Sequence, residues 1–194
     1  MAEKIDRRVK RTRRLVSDAF IQLVLEKGYD GVRIEDIIDR ADVARTTFYT
    51  HFKDKSDLLQ YVADVFRKAS KENLPNIQLD DQGLPSVEQL TRTFRNVSEH
   101  AHFFQVALDS NGMPKLYHEI HQIIVEMVEV LITNHAAETG QDPAVPVSLS
   151  AHHFSGALLS SIKWWLQEQR IYLIPPEEMA TLFVQMHRYS LTTA

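Results

Sequence analysis

An all-α fold follows from three features of this 194-residue sequence. Apolar residues recur three and four positions apart through nearly every substantial segment. Six glycines and seven prolines are too few for a many-turned all-β chain, and they leave no glycine-rich phosphate loop. A content of 44% hydrophobic and 25% charged residues is that of an ordinary globular protein rather than a disordered or fibrous one.

Taken in order, Leu15, Ala19, Phe20, Leu23 and Val24 place a first helix, which Gly28 closes as its C′ residue. Ile34, Ile37, Ile38 and Ala41 form a second, short stripe, and Asp42-Val43 leaves room only for a tight turn. Thr47, Phe48 and Phe52 carry a third helix of about two turns. Asp54 can cap a fourth, with Asp57 three residues on as a carboxylate near its positive end. Leu58, Leu59, Val62 and Phe66 continue that helix until Pro75 ends it. Residues 73–85 are the one obvious connector. Beyond it, Val87, Leu90, Phe94 and Val97 make one stripe, and Phe103, Phe104, Ala107 and Leu108 another before the breaker Asn111-Gly112-Met113-Pro114. Leu116 to Leu131 carry the cleanest stripe, over about four turns. Gly140 to Pro146 interrupts, Ser148 to Gln169 reads as one long helix, and Pro176 opens a last helix with Glu177 and Glu178 beside it.

The formal net charge of −4 hides a division. Up to Glu72 there are 16 Lys and Arg against 13 Asp and Glu; from Asn73 onward there are 6 against 13. Within the first 17 residues Lys4, Arg7, Arg8, Lys10, Arg11, Arg13 and Arg14 face only Glu3 and Asp6. A basic head on an acidic body points to a polyanion partner at one end, although a solubilising tail would look the same by charge alone. With no cysteine, thiol catalysis, disulfides and thiolate metal sites are excluded, and a reducing cytoplasm is the expected compartment. No apolar run approaches the roughly 20 residues of a membrane span, and no signal-peptide h-region follows the basic N-terminus.

The informative stretch is Ile34 to Phe52: helix, tight turn, helix, behind a longer supporting helix. That arrangement is a helix-turn-helix, whose second helix can lie in a DNA major groove. Arg45, Thr46, Thr47, Tyr49, Thr50 and His51 crowd hydrogen-bonding side chains onto seven residues, while Phe48 and Phe52 supply the buried side. A solvated helix face accounts for the charge but not for three threonines, which are poor helix formers. An arginine at 45 can pair with guanine through two bonds, threonine methyls can touch a thymine methyl, and Tyr49 and His51 can bond phosphates.

Gly28-Tyr29-Asp30, Asp36-Ile37, Arg40-Ala41 and the run Val43 to Leu59, with Tyr49, Phe52, Lys55 and Leu58 at their spacing, resemble the DNA-binding domain of TetR-family bacterial regulators. The resemblance covers about a third of the chain, from Arg8 to Lys68. It implies an all-helical homodimer with an N-terminal domain on a palindromic double-stranded DNA operator and a larger C-terminal domain for a small-molecule effector. The expected division is residues 1–68, containing the motif at 33–52, and residues 69–194. On that pattern Arg45, Thr46, Thr47 and Tyr49 face the groove, His51 lies near the backbone, and Lys55 meets a phosphate at a helix N-terminus. The sequence departs from the pattern at Arg33, where a threonine cap is common, at Ala41-Asp42, where alanine–glycine is common, and at Ala44, where serine is common. Arg33 has no acceptor oxygen with which to cap, so it is assigned to a phosphate instead.

In the C-terminal half, Phe94, Phe103, Phe104, Leu108, Tyr117, Ile124, Met127, Phe154, Leu158 and Trp165 are candidates to line a cavity, and each has an ordinary core role as the alternative. The expected ligand contacts are Phe104, Tyr117, His121, Phe154 and Trp165. Tyr117 and His121, one turn apart, would supply the polar groups. Ser155-Gly156-Ala157 and Ser160-Ser161 leave room for a close helix approach, and with Trp164, Trp165 and the last helix they resemble the family's two-helix share of a dimeric bundle. His100/His102, His118/His121 and His152/His153 are helical histidine pairs, but without HExxH or cysteine they are assigned no metal, and no cofactor is implied. No G-x-S-x-G, Walker loop or G-x-G-x-x-G marks an enzyme. The reading is a ligand-responsive DNA-binding repressor; a helical small-molecule-binding or scaffold protein without DNA function is the alternative.

Overall fold

The computed structural model describes residues 2–73, 77–80, 83–108 and 114–189. The expected breaks at Pro75 and at Asn111, Gly112 and Met113 lie outside those residues. In chain order the helices are α1 (Ala2–Gly31), α2 (Ile34–Ala41), α3 (Arg45–His51), α4 (Lys55–Asn73), α5 (Val87–Glu99), α6 (Ala101–Leu108), α7 (Pro114–Thr139), α8 (Val147–Leu166) and α9 (Pro176–Tyr189). The fold is all-α as the periodicity requires; among the described residues the extended chain amounts to an isolated bridge between Leu79 and Pro85.

The N-terminal unit closes on Phe20, Leu23, Ile37, Phe48, Phe52 and Leu58, all buried. Its sharp corners are set by two residues of positive φ. Gly28 (φ 71, ψ 159) kinks α1 out of helical geometry in a region that side chains essentially never occupy. Asp42 (φ 50, ψ 53) takes the left-handed turn between α2 and α3, its N–H donating to the Asp39 carbonyl at 3.3 Å. Aspartate tolerates that conformation better than most residues, so the departure from glycine leaves the turn intact.

The start of α4 is capped reciprocally: the Asp57 N–H donates to Asp54 Oδ1 at 2.8 Å, and the Lys53 N–H to Asp57 Oδ2 at 2.9 Å. Lys55 then points inward. Its Nζ donates to the carbonyls of Tyr29 (2.6 Å) and Val32 (3.0 Å) and sits 4.1 Å from the centroid of the Tyr29 ring. This ammonium clasps the start of α4 to the end of α1 and to the residue that follows it.

The C-terminal body is built on two pairings, α5 along α9 and α7 along α8. Ser86 caps α5 through a capping box with Gln89. Phe94, Trp165 and Phe183 meet edge to face at its centre, with ring centroids 5.5 and 6.2 Å from Phe94. The connector over residues 77–85 is a compact turn where described: the Asp80 N–H donates to the Leu84 carbonyl, and Arg188 of α9 binds Asp80 Oδ2, both at 2.8 Å. The long helix expected from Ser148 to Gln169 ends at Leu166, followed by a 3₁₀ turn over Gln167–Tyr172. The helix ends where Gln167 takes an extended backbone (φ −79, ψ 152), and Arg170 folds back across the turn, donating to the Trp164 carbonyl at 2.9 Å and stacking over the Trp164 ring.

No break separates the two halves at residue 68, because α4 runs on to Asn73 and enters the body. Phe66 meets the rings of Phe103 and Phe104 at 6.0 and 6.1 Å, and Arg67 bonds Glu126 (3.0 Å) and Glu119 (3.3 Å) of α7. A second joint packs α1 against α6.

Gly28→Ala should lower stability in urea unfolding by about 1–3 kcal/mol, because Ala must adopt a glycine-only conformation. Asp42→Gly should change it by less than about 1 kcal/mol, since relief of strain offsets added chain entropy. Lys55→Met should cost about 1.5–3 kcal/mol through removal of the charged hydrogen bonds. An unchanged midpoint for Lys55→Met would mean that the ammonium does not hold the junction.

Candidate nucleic-acid interface and ligand cavity

The seven-residue α3 buries Phe48 completely and turns its other side outward. Arg45, Thr46, Tyr49 and Thr50 are exposed, while Thr47 and His51 are half-buried at the edges of that face. Positions 45, 46, 49 and 50 fall on one arc of a helix, so the exposed polar side chains form a single strip. The Arg45 side chain is 63% exposed, lies 5.8 Å from the centroid of the Tyr49 ring and pairs with Glu35 of α2 at 3.2 Å. Such an exposed pair contributes little stability and is readily exchanged for another acceptor. Nothing in the sequence singles out Glu35 as the partner of Arg45. The Thr50 hydroxyl is occupied, donating to the Thr46 carbonyl at 2.7 Å.

Arg33 is the N-cap of α2 without offering an acceptor; the capping comes from Asp36, whose Oδ2 accepts the Arg33 N–H at 3.0 Å. The same carboxylate pairs with Lys27 at 3.2 Å. Those partners hold the Asp36 carboxyl below the usual aspartate value, the Arg33 N–H first and Lys27 second. Arg33 itself is exposed, at the start of the helix that precedes α3. Burial, and then the positive charge of Arg13, hold the His51 imidazole below the usual histidine value. His51 is accordingly favoured neutral, suited to a hydrogen bond rather than a fixed charge. Lys55 departs from the expected arrangement: its ammonium spends two donors on the Tyr29 and Val32 carbonyls instead of standing free for a phosphate.

A cavity of about 460 Å³ opens in the body. One wall is apolar: Phe66 of α4, Phe104 of α6, Ile124, Met127, Val128 and Leu131 of α7, and Phe154, Leu158, Leu159 and Ile162 of α8. The α5 side is mixed: Leu90 and Val97 line it together with Gln89, Arg92, Thr93, Arg95, Asn96 and Glu99. Arg92 pairs with Glu88 and Arg95 with Glu177 of α9, each at 2.6 Å.

Of the expected ligand contacts, Phe104 and Phe154 line this cavity, and Tyr117, His121 and Trp165 do not. Tyr117 is 38% exposed and stacks on His121, ring centroids 6.2 Å apart. Both lie on the stripe that continues into Ile124 and Val128. Tyr117, however, precedes Ile124 by seven residues, about 10 Å along the axis, and so misses the cavity's end. Burial and the neighbouring His152 and His118 hold His121 below the usual histidine value. Trp165 is fully buried against Phe94, its indole N–H donating to the Ile174 carbonyl at 2.9 Å, and is core. The polar part of the α5 lining carries no signal in the sequence, because those residues look like any solvated helix face.

Among the described residues no helix is long and apolar enough to cross a membrane, and no group of three or more histidine, cysteine, aspartate or glutamate residues is placed to hold a metal ion.

Comparison with known proteins bears on both halves. Residues 18–62 match the family model of bacterial regulatory proteins of the tetR family, and residues 86–189 that of a transcriptional regulator C-terminal region. The chain is 26% identical over 189 residues to the uncharacterized HTH-type transcriptional regulator YxbF of Bacillus subtilis, covering 94% of this chain and 46% of that protein. It is 28% identical over 99 residues to YerO of the same organism, covering 49% of this chain and 34% of that protein. The chain thus spans less than half the length of these curated relatives. Among solved structures, a putative TetR-family regulator from Syntrophomonas wolfei superposes with a TM-score of 0.75 at 22% identity, covering 92% of this chain and 94% of that one. FadR from Bacillus subtilis, solved in complex with stearoyl-CoA, gives 0.63 at 18% identity, covering 88% and 93%. With the C-terminal model alone matching more than half of the sequence, the chain belongs to the TetR family of bacterial regulators.

Proposed function

We propose that this protein is a dimeric, sequence-specific DNA-binding repressor whose grip on its operator is loosened by an amphipathic small molecule. The observation that carries the reading is the position of Phe66: one helix, α4, is clasped to the reading head by Lys55 and forms part of the cavity wall. Arg45, Thr46, Thr47 and Tyr49 read the major groove, and Arg33 and His51 contact the backbone, while Lys55 holds the junction behind them. The cavity suits a ligand with an apolar chain against α7 and α8 and a polar end at α5. Acyl-CoA thioesters have that character, as does the ligand in the FadR complex. The ligand shifts the equilibrium only by its difference in affinity between the DNA-bound and released states; a tenfold loss of DNA binding takes about 1.4 kcal/mol.

Two features support a dimer through α8 and α9. Leu149, Trp164, Leu182 and Met186 are exposed on these helices, Leu149 by 60% and Met186 by 53%. A side chain added at Gly156 would meet nothing within 4 Å, leaving that face clear for another helix. Two recognition helices on one two-fold axis double the few base contacts that a single α3 can make.

Arg45→Ala should cost about 1–3 kcal/mol on a selected duplex and relax preference at one position of each half-site, as read by competition binding. Unchanged affinity and preference would remove α3 from the groove. Gly156→Leu should convert dimers to monomers in light scattering; an intact dimer would place the interface elsewhere. Stearoyl-CoA at one hundred times its dissociation constant should stabilise the protein by about 2.7 kcal/mol and release the duplex. Stabilisation without release would separate ligand binding from DNA control.

A further inference from the structure

We propose that the N-terminal extension of α1 is a second DNA-contacting element, which grips the phosphate backbone outside the half-site read by α3. The proposal rests on the DNA-binding reading above and adds a site to it. The family model begins at residue 18, so Arg8, Arg11 and Arg14 all precede the segment that it matches. Residues 7–17 contain six arginines and lysines and no acid. Around a helix, Val9, Arg13, Val16 and Phe20 share one side, and Arg8, Arg11 and Arg14 spread over the other.

The structure divides the arginines in the same way. Arg13 is the anchor: its guanidinium lies 5.7 Å from the ring centroid of Phe52 and 5.3 Å from that of Tyr61. Phe52 is the C-cap of α3, so α1 passes the end of the recognition helix itself. Arg8, Arg11 and Arg14 are exposed on the opposite arc. From Arg13 back to Ala2 the helix extends about 16 Å, enough to leave the half-site and reach neighbouring phosphates. Arginines on a regular helix, with no threonine, asparagine or glutamine beyond Thr12, suit charge pairing with phosphates better than base reading. The acidic body, with 13 acidic against 6 basic residues from Asn73 onward, disfavours polyanions elsewhere on the chain and orients the head toward the duplex.

The test uses the full chain and a duplex that it recovers from a random-sequence library, either trimmed to the minimal site or extended by about eight random base pairs at each end, close to one helical turn. The wild type should bind the extended duplex more tightly, and the combined variant R8Q/R11Q/R14Q should lose that advantage. Its log–log salt slope should become shallower by about 0.9 for every phosphate that the variant no longer neutralises, while its preference for the recovered sequence over a shuffled one is kept. R8K/R11K/R14K, which retains the charge, should keep both slope and advantage, and circular dichroism should show all three proteins equally helical. Equal slopes and equal flank dependence in wild type and R8Q/R11Q/R14Q would overturn the proposal and leave the α3 reading standing. Loss of preference along with slope would overturn it in favour of base reading by α1. Loss of binding to phosphatidylserine vesicles, with duplex binding unchanged, would overturn it in favour of a membrane. A wild type that recovers no duplex would overturn both this proposal and the reading on which it rests.

Discussion

Two joints relate one end of this molecule to the other, and of these α4 is the helix that both halves share. A helix of 19 residues spans about 28 Å, and each end is held by groups that cannot be shifted cheaply. At its start the Lys55 ammonium is satisfied by two backbone carbonyls and an aromatic face, so moving it leaves a polar junction without its counter-charge. Towards its end Phe66 is wedged among aromatic rings, and Arg67 is shared between two carboxylates seven residues apart on α7. Under the proposed switch, a change in the spacing of α6 and α7 is passed to the head as a tilt of α4.

The same logic explains why the cavity lies where it does. Its apolar wall collects side chains from four helices, α4 and α6 among them, and both of these contact the head or form part of it. The polar lining residues belong to α5, which is bound to α9 through the Arg95–Glu177 pair and a buried aromatic cluster. A ligand with an apolar chain and a polar end would thus touch the head-bearing side with the chain and the α5–α9 side with its other end.

Much of this is legible in the residues. Period-3.6 stripes locate the helices because burial of one face is a local, repeating requirement. The helix-turn-helix is legible because its turn and its two buried phenylalanines fall within about twenty consecutive residues. Two kinds of information are not local. Tyr117 and His121 share the face of Ile124 and Val128, but the axial extent of a cavity depends on how α5 and α8 cross α7, which periodicity does not encode. Trp165 and Lys55 depart from their expected roles for a related reason: an aromatic or a cation in a motif declares its chemistry, not its partner. The partners here, the Ile174 carbonyl and the Tyr29 and Val32 carbonyls, are brought in by a 3₁₀ turn and by the glycine kink.

Filling the cavity without a ligand tests the proposed switch most directly. Leu158 lines the far wall on α8, and Leu158→Trp places an indole in the space without touching the head. Because the chain has no cysteine, Asp39→Cys on exposed α2 gives a unique position for a spin label in each protomer. The distance between the two labels, measured by pulsed electron resonance with and without Leu158→Trp, reports the separation of the reading heads. The account predicts a shifted distance and weakened duplex binding in the filled protein. An unchanged distance in a folded, dimeric Leu158→Trp protein would contradict it.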